Sequence, residues 1–154
     1  MSVQRKAIED EASSGDASEA SQLIRASGLS ALLDRSVRSV WRDHAANRLP
    51  QPVRIGGIGN VKTHPSVRKQ GFASLAIERA VTFLREQPLV FALLVCEQHL
   101  LGYYSRLGWK EFTGRLLIRQ HGATTEFTLC RVMTLGLHSV APETGTIDLC
   151  GPPW

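Results

Sequence analysis

The sequence has no apolar stretch approaching the ~18 residues that a membrane helix needs; its longest such run, Leu89 to Cys96, spans eight. The opening residues, Met1 to Glu11, hold no apolar segment of signal-peptide length either. A soluble, cytoplasmic protein without membrane association is therefore expected. Cysteine is scarce: Cys96, Cys130 and Cys150 are odd in number and lack CxxC spacing. That excludes a disulfide framework and argues against a zinc site. Cys96 closes an apolar run and Cys130 lies in an alternating one, so both read as small core residues.

What is present is an ordinary globular composition, with 43% hydrophobic and 21% charged residues in a chain of 154. That length suits one domain with a real core. The net charge of +4 fits an anionic partner, either a nucleotide-bearing cofactor or a nucleic acid. Residues 1–15 are polar and read as a flexible lead-in, and 16–154 as a single domain. Asp16 and Glu19 have capping-box spacing, and from Leu29 the apolar residues Leu32, Leu33, Val37, Val40 and Trp41 recur at threes and fours. Residues 16–49 are thus expected to be helical. Gly28 divides this region into two helices, and the arginines at 25, 35, 38, 42, 48 and 54, against Asp34 and Asp43, make the second one basic. No helix-turn-helix or aromatic platform accompanies it, so nucleic acid ranks below a small anionic ligand.

Pro50 and Pro52 end that region. Val53 to Thr63 reads as a strand, Ser74 to Glu86 as a helix, and Leu89 to Cys96 as a central strand covered on both faces. A short helix from about Gln98 to Leu107 stops at Gly108. Short strands follow at Trp109–Thr113, Arg115–Gln120 and Thr125–Leu135, and in the C-terminal tail, 136–154, the stretch from Ile147 to Trp154 reads as irregular. Strand, loop, helix, strand, helix and then antiparallel strands indicate α/β with a mixed sheet flanked by helices. The segment Arg68-Lys69-Gln70-Gly71-Phe72-Ala73 is a strand-to-helix turn. Small residues at Gly71 and Ala73 let phosphate approach backbone N–H groups, and Arg68 and Lys69 add positive charge.

Val61-Lys62-Thr63-His64-Pro65-Ser66-Val67 with this loop resembles the GNAT acyltransferase motif, a strand followed by Arg/Gln-x-x-Gly-x-Gly/Ala. Tyr103-Tyr104-Ser105-Arg106-Leu107-Gly108-Trp109 resembles that superfamily's second segment, at the required remove of one helix and one strand. The resemblance covers roughly residues 54–135, here the cofactor-binding core (53–135). It implies a GNAT-like fold with two central strands that splay apart and acetyl-CoA as cosubstrate; the abbreviated, mainly helical N-terminal part departs from that family's pattern. Val61 and Thr63 would hold the pantetheine arm, and Arg68, Lys69, Gln70, Gly71, Phe72 and Ala73 the pyrophosphate. Tyr104 would protonate the departing thiolate, and the acceptor would be a small amine. The base is open among His64, Glu97, Glu126, Asp148 and the terminal carboxylate, because Ile58-Gly59-Asn60-Val61 carries no carboxylate. The ending Asp148-Leu149-Cys150-Gly151-Pro152-Pro153-Trp154 is similar to that of aminoglycoside 2′-N-acetyltransferases, which implies Trp154 at an acceptor site for a polycationic amine. The alternative is a non-catalytic or truncated acyl-CoA-binding relative whose basic helix docks a partner. A homodimer stays open.

Overall fold

The computed structural model describes residues 29–43 and 50–152. The expectations for residues 1–15, for helix in 16–28 and 44–49, and for Trp154 lie outside them. The first described element corrects the helical reading. Residues Leu29–Arg42 form a strand, β1, antiparallel to β2 (Gln51–Thr63). The arginines at 35, 38 and 42 therefore lie along a strand, not on a basic docking helix. The physical reason is a bulge. Pairing slips between Asp34 and Val37, and an extra residue there shifts the alternation, so the apolar spacing imitates a helical one. Pairing along β2 then outweighs weak local propensity.

The remaining elements follow the expected order. After β2 come α1 (Phe72–Arg85), β3 (Phe91–Cys96), α2 (Leu101–Arg106) and β4 (Lys110–Phe112). Then come β5 (Arg115–Gln120), β6 (Ala123–Glu126), β7 (Arg131–Gly136) and β8 (Thr146–Asp148). Two expectations change. The single strand at Thr125–Leu135 is two, β6 and β7, which lie at opposite sides of the sheet. The tail taken as irregular contains β8, antiparallel to β1 and parallel to β5.

All eight strands form one mixed sheet in the order β4-β7-β3-β2-β1-β8-β5-β6. Only residues 113 and 114 separate β4 at one edge from β5 near the other, so three Cα steps span at most about 11 Å. In a flat sheet six interstrand gaps would hold those strands about 29 Å apart. The sheet must therefore roll. Its concave face encloses one apolar cluster, with Ile55, Phe91, Leu93, Phe112, Leu116 and Ile147 among its members. Its convex face packs Ile58, Ala92, Leu94 and Met133 against α1 and α2 through Ile77, Leu84 and Tyr104.

β3 feeds both clusters by strict alternation, Phe91 and Leu93 inward, Ala92 and Leu94 outward, all at most 1% exposed. That is the two-sided burial its unbroken apolar run implies. On β2, Gly56 lies under α1, where an added Cβ would come within 2.8 Å of the Leu84 side chain. The glycine lets the helix sit close on the strand. No helix among the described residues is long and apolar enough to cross a membrane.

Candidate functional site

The site begins where two central strands part. The parallel ladder between β2 and β3 runs from Ile55 and Phe91 to Ile58 and Leu94 and then stops. Beyond it, β2 continues to Thr63 on β1 alone, and β3 to Cys96 on β7 alone. A bulge accompanies the parting. Asn60 has φ 52°, and the β1–β2 register slips between Leu32/Gly59 and Ser30/Lys62. A bulge bends and over-twists its strand, which carries the end of β2 away from β3. Val61 and Thr63, both half-buried, lie on this diverging end.

The loop after β2 is tied back to it. Pro65–Val67 makes a single 3-10 turn, capped by His64, whose Nδ1 lies 2.8 Å from Ser66 Oγ and accepts from the Ser66 N–H. Arg68 Nε donates to the Thr63 carbonyl at 3.2 Å, and Gln70 Nε2 to that of Ser66 at 3.2 Å. Lys69 and Gly71 take left-handed conformations, φ 61° and 83°, and Gly71 is the N-cap of α1. No side chain caps that helix, and no acidic residue lies in its first turn. Its first N–H groups thus point out beside exposed Arg68 and Lys69, the arrangement that attracts phosphate. Phe72 and Ala73 are half-buried and pack on Val61 and Ala76, which anchors the turn against the strand end.

The two tyrosines of α2 divide their roles. Tyr103 is half-buried, and its hydroxyl lies 3.1 Å from Ser74 Oγ in the first turn of α1. Tyr104 is buried in the convex cluster together with Cys96, and meets Tyr103 edge to face with ring centroids 5.1 Å apart. Burial, reinforced by Cys96 and Tyr103, pushes the Tyr104 hydroxyl up to about 12. Desolvation likewise pushes the Cys96 thiol to about 11, with Cys130 and Glu111 adding to it. Both groups therefore stay protonated at neutral pH.

The carboxylates weighed as bases separate. Glu126 on β6 is paired with Arg115 at 2.9 Å. Asp148 on β8 lies 3.5 Å from Arg119 and accepts from the Cys150 N–H at 2.7 Å. His64 is engaged as a cap. Glu97, exposed and directly after β3, lies 3.3 Å from His99 and is the carboxylate among the described candidates that directly follows a parted strand. Trp154 and the terminal carboxylate lie outside the described residues.

A feature the sequence reading missed adjoins Glu97. A cavity of about 550 Å³ opens at this end of the rolled sheet, lined by Glu97, Gln98, residues 112–114 and 116, and residues 127–132. It is built by the two segments that cross between opposite sides of the sheet, 113–114 and 127–130. No local pattern announces it, because it exists only once β5 and β6 are carried across.

No family model matches the sequence, and no curated protein does. Solved structures do. An N-acetyltransferase from Lactobacillus plantarum is 17% identical over 59% of this chain and 63% of that one, with a TM-score of 0.43. The likeness is to GNAT-type N-acetyltransferases. One of these, from Escherichia coli and in complex with CoA, is 19% identical over 64% of this chain and 52% of that one, TM-score 0.45. An acetyltransferase from Salmonella typhimurium holding acetyl-CoA is 16% identical over 78% and 71%, TM-score 0.41. The chain spans less than two thirds of the first two structures it matches, 63% and 19% of their lengths. At TM-scores below 0.5, chemistry has to be read from the chain's own geometry.

Proposed function

We infer that this chain binds acetyl-CoA between the parted ends of β2 and β3 and transfers the acetyl group to an amine. The observation that carries the reading is the parting itself. The β2–β3 ladder stops at Ile58 and Leu94, beside an uncapped helix N-terminus and a buried, protonated tyrosine. In this reading the main chain at Val61 and Thr63 pairs with the pantetheine amides. The N–H groups of residues 70–73 hold the pyrophosphate, with Arg68 and Lys69 supplying charge.

The reaction needs few groups. The free amine attacks the thioester carbonyl carbon, a C–N bond forms and the C–S bond breaks. The amine nitrogen releases one proton to water, and the leaving sulfur takes one from Tyr104. A donor held near 12 is reprotonated by solvent after each turnover. An amine that is a protonated ammonium at neutral pH must lose its proton first, so the rate rises with pH until the acceptor is free base.

The test is release of thiol from acetyl-CoA with a panel of primary amines, together with a thermal shift on adding CoA. A ligand of the folded state raises stability by mass action, about 2.7 kcal/mol at a hundredfold excess over Kd. Thiol release and a rising melting temperature are expected. An unchanged melting temperature at millimolar CoA overturns the reading.

A further inference from the structure

The cavity at the mouth of the rolled sheet has no place in the cofactor site, and its lining is specific enough to name an occupant. We propose that it is the acceptor pocket, and that it takes a compound with a single amine on an aromatic or aliphatic body, not a polycation. This rests on the acetyl-transfer reading and narrows its substrate class.

Position comes first. Glu97 follows Cys96 directly, at the end of β3 that has left β2. Cys96 is the register partner of Arg131, and Cys130 and Arg131 line the cavity. Cys96 also belongs to the cluster that contains Tyr104. The cavity lies on the concave side of the end of β3, and that strand end separates it from the convex cluster that holds Tyr104. In sheets with parallel strands, ligands gather beyond the strand carboxyl ends where neighbours diverge.

Chemistry comes second. Phe112, Leu116, Phe127, Leu129 and Val132 supply apolar surface to the cavity. Leu129 is 86% exposed, a large apolar side chain left in water at the rim unless something lies against it. Among the described lining residues the charged ones are Glu97 and Arg131. Arg131 is ion-paired with Glu111, while among the described residues Glu97 has His99 beside it. One carboxylate at the mouth attracts one ammonium. A polyamine would bring several cations to a pocket with one carboxylate and an arginine, and would leave most of them without partners. A volume of about 550 Å³ lies within the ordinary range for small-ligand sites.

The experiment uses the full chain with three amines: 2-phenylethylamine, ethanolamine and kanamycin. With acetyl-CoA, kcat/KM for 2-phenylethylamine is expected to exceed that for each of the others at least tenfold. Phe127→Ala should raise its KM about tenfold, and Glu97→Gln about fivefold. Both variants should keep the thermal shift with CoA, because neither residue is in the cofactor site. A readout free of catalysis is alkylation of Cys130, which lines the cavity, followed by peptide mass mapping. 2-Phenylethylamine should slow Cys130 labelling several-fold and leave the exposed Cys150 unchanged. A CoA thermal shift with kanamycin preferred, or with Cys130 labelling unaffected by 2-phenylethylamine, overturns the acceptor assignment and leaves the cofactor reading standing. Loss of the CoA shift in the unmodified chain overturns both.

Discussion

Burial, more than any neighbouring charge, keeps the Tyr104 phenol protonated. Its ring lies among aliphatic side chains, and its hydroxyl is pushed from the ordinary 10.0 up to about 12, chiefly by desolvation. Replacing it with Phe keeps the packing and removes the proton. Tyr104→Phe is expected to lower kcat about a hundredfold, the low end for a positioned acid, while the thermal shift with CoA is unchanged. Steady-state kinetics alongside a melt with and without CoA separates the two. The same shift makes a stability claim. The unfolded chain ionises this phenol near 10, the folded chain only near 12. The unfolded state therefore loses the proton first, and stability is complete below pH 10 and declines as pH rises from about 10 toward 12. In Tyr104→Phe that part of the alkaline loss should vanish, which melts at pH 9 and pH 11 would reveal. The resemblance of residues 103–109 to the acyltransferase segment singled out Tyr104 in the sequence. Its burial was not legible there, since adjacent positions on a short helix point about 100° apart, and only packing decides which one goes inside.

At the scale of elements, the bend in β2 and the seat of α1 are separable features. Asn60 is left-handed at φ 52°, where Asn and Gly are tolerated and a β-branched residue is strained. Asn60→Val is expected to cost about 1–2 kcal/mol and to weaken CoA binding, whereas Asn60→Gly should bind CoA normally. Urea denaturation and CoA titration on both variants check this, and equal CoA affinity in the two would separate the bulge from the site. Gly56 controls the distance between strand and helix. A Cβ there would lie 2.8 Å and 2.9 Å from the two methyl carbons of Leu84. Gly56→Val should therefore overpack the interface and cost about 1–3 kcal/mol, visible as a lower melting temperature. The glycine cluster in this strand could be read as a bulge or a close approach, and it contains both: the bulge at Asn60, between Gly59 and Val61, and the close approach at Gly56. Strand β1 was misread because a bulge shifted its apolar spacing away from alternation.

For the whole molecule, the rolled sheet makes one structure of two apolar clusters. β3 sends alternate side chains to each, so loss of that strand disrupts both clusters. β8 closes the arrangement by lying between β1 and β5. Ile147 on β8 is fully buried in the concave cluster, and Ile147→Ala is expected to cost about 2–5 kcal/mol. Unfolding should remain a single transition, followed by near- and far-UV circular dichroism. Two separated transitions would mean that the concave half folds on its own.

Local chemistry determined what the sequence alone could supply. The eight-residue apolar run specified a strand buried on both faces, the glycine turn at residues 68–73 specified a helix start, and Gly108 specified where α2 stops. These depend on residues within a few positions of one another, so they can be read along the chain. The parting of β2 and β3, the burial of Tyr104, the strand at 29–42 and the cavity at Glu97 depend on pairings between segments far apart in sequence. Strand β1 becomes a strand because β2 offers it a full-length edge, and β8 because β1 and β5 leave a gap of one strand between them. Backbone hydrogen bonding across such distances leaves little periodic trace in the sequence, so tertiary structure decided where the pocket lies and what lines it.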